Sequence, residues 1–112
     1  MEYSKYDICL VNFNPAKGGE MGKLRPAIIM SSDEDNALLS TVIVIPLSTV
    51  VEPDALPYRY TLLAREKLSK DSDACINEIR SLSKSRVKER LASLSKDEGA
   101  IIQKALCDLL GN

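Results

Sequence analysis

The chain has 112 residues, with 45% hydrophobic and 28% charged residues, Lys+Arg 15 against Asp+Glu 16, and His 0. Length and composition suit one folded domain spanning 1–112 and exclude disordered and fibrous classes. The missing histidine removes the usual neutral-pH general base, the commonest metal ligand and every Ser-His or Cys-His arrangement, so any catalysis falls to Arg, Lys, Glu, Asp, Ser, Thr or Tyr.

Asp7 to Phe13 (DICLVNF) is apolar and β-branched and ends at the turn former Asn14-Pro15, which predicts a first strand. Asn14 to Leu24 carries Gly18, Gly19 and Gly22 and reads as a charged loop. Pro26 to Ser32 (PAIIMSS) restarts an extended run; the residue before a proline is biased away from helix, so Arg25 falls at a loop-to-strand junction. Asp33 to Leu39 suits one helical turn. Thr41 to Leu47 (TVIVIPL) is a continuous apolar run that predicts a strand buried on both faces, stopping or reaching an edge at Pro46, which has no N–H for a ladder.

Ser48 to Ala55 reads as a loop, Pro57 to Leu62 (PYRYTL) as a strand, Arg65 to Asp71 as a turn and Ala74 to Leu82 as one more extended segment. Lys84 to Ser93 fits a short helix or a strand, since neither period is clean. Ser95-Lys96-Asp97-Glu98 is a capping-box pattern. It opens an amphipathic helix with Ile101, Ala105 and Leu109 in one row, Ile102, Leu106 and Leu110 beside it, and Gly111 as a C′ residue. Five or six strands without strand–helix alternation predict a mainly β protein: a small, twisted or partly closed antiparallel sheet with a C-terminal helix.

Cys9, Cys75 and Cys107 are odd in number and far apart, which argues against a disulfide framework and a zinc site. They read as small buried hydrophobes in a reducing cytoplasm, and neither metal nor cofactor is expected. No stretch approaches the roughly 20 apolar residues of a membrane span, and the start has no basic region followed by a long apolar core, so neither membrane insertion nor export is expected.

Near-neutral total charge conceals an asymmetry: four bases face eight acids in residues 1–56, and eleven bases face eight acids in residues 57–112. The steepest excess holds Arg80, Lys84, Arg86, Lys88 and Arg90 against Glu89 alone. Such a run is either a solvated face or a phosphate-binding patch. The segment Gly18-Gly19-Glu20-Met21-Gly22-Lys23-Leu24-Arg25-Pro26 joins backbone freedom, two bases and one acid. It matches neither a Walker loop nor a dinucleotide fingerprint.

These segments resemble the MazF/PemK toxin family. Asp7-Ile8, Asn14-Pro15 and Gly18 to Ala27 are similar to GD(I/V)…P…GSEQGxxRPA. Pro46-Leu47-Ser48-Thr49 resembles P-(I/L)-T-S, Asp71 to Ser81 resembles DSxxLxxQIRT, and Lys84-Ser85-Arg86 with Leu94-Ser95 resembles KxRL…LS. Four motifs in order cover nearly the whole chain. The resemblance implies an SH3-like, CcdB-type β-barrel with a C-terminal helix. It implies a cytoplasmic homodimer that cleaves single-stranded RNA without metal, leaving 2′,3′-cyclic phosphate and 5′-hydroxyl ends, and that is blocked by a MazE-type antitoxin.

Carried over by position, Arg25 and Ser48 match the family's catalytic Arg and Thr, and Glu20 matches the loop acid. Arg25 offers a planar fork suited to phosphate oxygens. Ser48 keeps the hydroxyl but loses the methyl that stiffens a threonine rotamer. Thr49 is the rival if the register shifts by one. Lys17, Lys23, Thr49, Glu78, Arg80, Lys84 and Arg86 are the expected RNA-binding residues. Glu78 stands where the family has a base-contacting Gln, and a carboxylate accepts hydrogen bonds but cannot donate. Tyr6 stands in place of the Gly of the opening GD. Two other readings share parts of this pattern: a CcdB-like toxin that binds gyrase without cleaving anything, and a catalytically inactive RNA-binding relative.

Overall fold

The computed structural model describes residues 2–14 and 23–111. Among them the chain runs β1 (Asp7–Asn12), β2 (Leu24–Ile29), α1 (Asp33–Leu38), β3 (Thr41–Ser48), β4 (Arg59–Leu62), β5 (Ser72–Cys75), β6 (Arg80–Ser83), β7 (Val87–Ser93) and α2 (Lys96–Leu109). All strand pairs are antiparallel, in the order β4-β5-β3-β2-β1-β7 with β6 also on β3. The ladder stays open between β4 and β7, but the Lys67 N–H donates to the Leu91 carbonyl and ties the connection after β4 to β7. This is the partly closed antiparallel sheet with a terminal helix that the chain's patterning predicts.

Pro46 does not end β3. Thr41 to Val44 pair with β6, whereas Leu47 and Ser48 pair with β5, so Pro46 lies where one neighbour has ended and the next has not begun. There its missing N–H leaves no ladder bond broken. The segment expected to run extended from Ala74 to Leu82 is split for the same reason. A single 3₁₀ turn, Ile76–Glu78, separates β5 from β6 and takes up the three-residue change of register along β3. Burial on both faces of β3 holds only from Val44 onward, because Thr41 and Ile43 are exposed. The ambiguous stretch after Ser83 resolves into a turn at Lys84–Arg86 and then β7.

Side-chain alternation divides the sheet into two faces. Ile8, Ile28, Ile45, Leu47, Leu62, Ala74, Ile76 and Ala92 form the larger core, closed by Ile102 and Ala105 of α2. Cys9, Val11, Phe13, Ala27, Ile29, Val42 and Val44 form a second cluster on the opposite face. The capping box forms as expected: Ser95 Oγ accepts from the Glu98 N–H, and the Glu98 carboxylate accepts from the Ser95 N–H. Gly111 takes φ +84°, as a C′ residue does.

The buried side of α2 differs from the expected row. Gly99, Ile102 and Ala105 face the sheet, and Ile101 is exposed. Tyr6 sets this rotation. Its ring lies so close to Gly99 that a Cβ there would sit 2.6 Å from Tyr6 Cε2, and its hydroxyl donates to Gln103 Oε1 at 3.2 Å. Tyr6 itself has φ +75°, a backbone state that favours glycine, while its N–H and C=O bond to Ile29 and Leu94. Among the described residues no helix is long and apolar enough to cross a membrane.

Candidate active site

Arg25 is half-buried on β2 and shares the face of Ala27 and Ile29, which belong to the second cluster. Ala27 pairs with Pro46, and the ladder between β2 and β3 stops beside Pro26, which has no N–H to give. Arg25 on β2 and Ser48 on β3 each lie two residues beyond that last pair, so strand alternation puts both on the face of Ala27. Ser48 is 8% exposed, ends β3, and its Oγ accepts the Val50 N–H at 3.1 Å, leaving its own O–H available as a donor. Thr49 projects to the other side, into a cleft of about 180 Å³ that it lines with Pro26, Lys67, Lys70 and Ser72. Arg25 and Ser48 therefore share a face that Thr49 does not.

Arg80 is on that face too. It pairs with Val44, and its guanidinium stands 5.2 Å from the centre of the Phe13 ring, at cation–π distance. Its Nη2 is 3.7 Å from Glu78 Oε1 and its Nε donates to the Glu78 carbonyl. Glu78 is thus held against an arginine. Four residues of β3 separate the row of Ser48 from the row of Val44 and Arg80, about 13 Å of strand. A strand of phosphodiester can meet both arginines along one face.

The rest of the basic run spreads out. Lys84 Nζ donates to the Asn36 carbonyl at 2.5 Å, at the end of α1. Arg86 Nη1 donates to the carbonyls of Asn12 and Asn14, and Arg90 faces Asp7 and Glu66. Arg86 thereby holds the chain at Asn12 and Asn14, where Asn14 Oδ1 also accepts the Lys23 N–H at 2.6 Å. Lys23 is exposed there with φ +66°. Lys17 and Glu20 lie outside the described residues.

Beside Ser48 lies a group that sequence reasoning missed. Asp73, across from Ser48 on β5 and from Thr61 on β4, is 0% exposed. Its Oδ1 accepts the Thr61 hydroxyl at 2.6 Å, and its Oδ2 accepts the Glu52 N–H at 2.8 Å and Arg59 Nη1 at 3.5 Å. The available signal was an acid inside the apolar run Ser72 to Ile76, since a buried carboxylate demands donors. The cysteines carry no such chemistry. Burial first, then the Asp7 charge, pushes the Cys9 thiol up to about 12, and burial pushes Cys75 up to about 11. Neither is a thiolate at neutral pH.

The family model of the PemK-like, MazF-like toxins of type II toxin-antitoxin systems matches residues 4–110. The chain is 33% identical over 106 residues to Endoribonuclease MazF of Staphylococcus epidermidis, covering 94% of this chain and 88% of that protein. The crystal structure of MazF from Deinococcus radiodurans has a TM-score of 0.81 at 28% identity, covering 98% of this chain and 97% of that one. A MazE-MazF structure from the same organism has a TM-score of 0.75 at 27% identity, covering 97% and 96%. The motifs that gather Arg25, Ser48 and Arg80 on one face of the sheet thus lie within a match that spans nearly every residue, and the chain belongs to the PemK-like, MazF-like toxins of type II toxin-antitoxin systems.

Proposed function

We propose that this protein, as a single toxin domain over 1–112, is a cytoplasmic, homodimeric endoribonuclease that cleaves single-stranded RNA without metal and is neutralised by a MazE-like antitoxin. The observation that carries the reading is the one face of the sheet shared by Arg25 on β2 and Ser48 on β3, with Arg80 further along it. The substrate brings its own nucleophile. Its 2′-oxygen bonds to the adjacent phosphorus, the bond from phosphorus to the 5′-oxygen breaks, and the products are a 2′,3′-cyclic phosphate and a 5′-hydroxyl. Glu20 takes the proton of the 2′-hydroxyl, and the departing 5′-oxygen gains one from water, so the proton count closes.

The protein's part is charge and position. Arg25 gives two parallel N–H donors to the phosphorane oxygens, where negative charge develops, and Ser48 adds an O–H donor. Arg80, stacked on Phe13, takes a neighbouring phosphate, Glu78 meets the base edge, and Lys17 and Lys23 add positive charge for the RNA, whereas Thr49 lies on the opposite face. Lys84 and Arg86 serve RNA binding by holding α1 and the chain at Asn12 and Asn14 in place.

Incubating the purified protein with a long mixed-sequence RNA in EDTA and mapping 5′ ends tests this reading. Cleavage at recurrent short motifs is expected, and Arg25→Ala loses about 10²-fold or more in rate, the usual loss for one oxyanion donor. Ser48→Ala loses more than Thr49→Ala. Intact RNA refutes the nuclease reading, and the reverse order of the two hydroxyl variants refutes the assignment of Ser48.

A further inference from the structure

We propose that Asp73 is a positioning residue for Ser48: its buried carboxylate locks the turn after β3 and so aims the Ser48 hydroxyl at the phosphate. This rests on the endoribonuclease reading of the same site. Residues directly opposite in antiparallel strands share a face, so Ser48, Asp73 and Thr61 form one row across β3, β5 and β4, and Arg25 lies on the same face of β2 by strand alternation. The turn that follows Ser48 is held at two points that lead back to Asp73 and at a third by Ser48 itself. The carboxylate takes the Glu52 N–H directly. It also lies against Arg59, whose Nη1 donates to the Val50 carbonyl at 3.0 Å. The Val50 N–H in turn donates to Ser48 Oγ. The two peptide groups flanking Val50 are therefore both held, the one before it by Ser48 at the Val50 nitrogen and the one after it by Arg59 at the Val50 oxygen.

That grip decides what Ser48 can do. A serine whose oxygen accepts the Val50 N–H keeps its O–H for a second partner, on the face that Ser48 shares with Arg25. Without the β-methyl of threonine, the side chain has no steric bias of its own towards that rotamer. The turn supplies the bias, and Asp73 holds the turn. A carboxylate suits the task because its donors approach both oxygens: Thr61 on one, Glu52 and Arg59 on the other. An asparagine has a single acceptor oxygen and an NH₂, which would meet either the Thr61 hydroxyl or the Glu52 N–H and Arg59 with a donor.

The test is Asp73→Asn in the full chain, measured by single-turnover cleavage of a fluorogenic RNA oligonucleotide and by binding of the same oligonucleotide carrying 2′-O-methyl groups. Cleavage is expected to slow by about 10- to 100-fold while binding changes by less than threefold, and amide exchange at Val50 and Glu52 speeds up. Adding Ser48→Thr restores at least fivefold of the lost rate, because the methyl supplies the rotamer bias that the turn no longer gives; a purely structural lesion would show no such rescue. Arg59→Met cuts the Val50 contact and leaves the carboxylate its bonds from Thr61 and Glu52, so it replaces Asp73→Asn if that variant does not fold, and it slows cleavage with binding retained. Wild-type cleavage together with full-rate Asp73→Asn, unaltered exchange at Val50, or no rescue by threonine overturns the role of Asp73. Absence of cleavage by the wild type overturns the endoribonuclease reading itself, and with it this inference.

Discussion

Gly99→Ala should destabilise this protein although alanine is the better helix former. In an ordinary helix the change gains about 0.5–1 kcal/mol. Here the new Cβ would lie 2.6, 2.8 and 3.0 Å from Cε2, Cδ2 and Cζ of Tyr6, whereas carbon atoms in contact settle at about 3.5–4.0 Å. Either the ring or the start of α2 must move by close to 1 Å. The ring is tethered by its bond to Gln103 and by a backbone tied to Ile29 and Leu94. Overpacking of this kind costs about 1–3 kcal/mol, so the net loss is about 1–2 kcal/mol. In a Tyr6→Gly background the ring is gone, and the same Gly99→Ala change should stabilise by its helix propensity alone. Urea denaturation of the four variants at one protomer concentration measures the coupling, expected at about 2 kcal/mol. Equal effects of Gly99→Ala in both backgrounds would refute the claim that Tyr6 sets the seating of α2.

The remaining predictions concern charge and thiols. Hydrogen bonds from Arg65 hold the Glu98 carboxyl below its usual value against the opposing effect of burial, with help from the Ser95 N–H. A lowered folded-state value means stability that is present above the unfolded value near 4.5 and is lost as pH falls through the folded one. Glu98→Gln should therefore cost about 1–2 kcal/mol at pH 7, with the gap to wild type closing towards pH 3 in pH-resolved denaturation; a gap that persists at pH 3 would mean that packing, not charge, is what glutamine loses. At pH 8 a thiol reagent should label half-buried Cys107 first and reach Cys9 and Cys75 only on unfolding, because both are fully buried with raised values. Mass mapping of the first label on Cys9 would refute this.

What the linear sequence determined was local or periodic. The capping box at Ser95, the glycine C′ at Gly111 and the apolar strand before Ser48 each follow from a few adjacent residues, and each forms, whereas Arg25, expected at the junction, lies one residue inside β2. Ordered motifs also placed Arg25, Ser48 and Arg80 among the candidate residues. Tertiary structure decided the rest, because it depends on partners distant in the chain. The break between β5 and β6 answers a proline on β3, and the rotation of α2 answers the Tyr6 ring. Arg86 serves carbonyls more than seventy residues away, which turned part of an apparent phosphate patch into a clamp on Asn12 and Asn14. Asp73 looked like an ordinary acid until three strands brought Ser48, Thr61 and Arg59 around it. Periodicity tells which face a side chain occupies; only the register of the sheet tells what stands across from it.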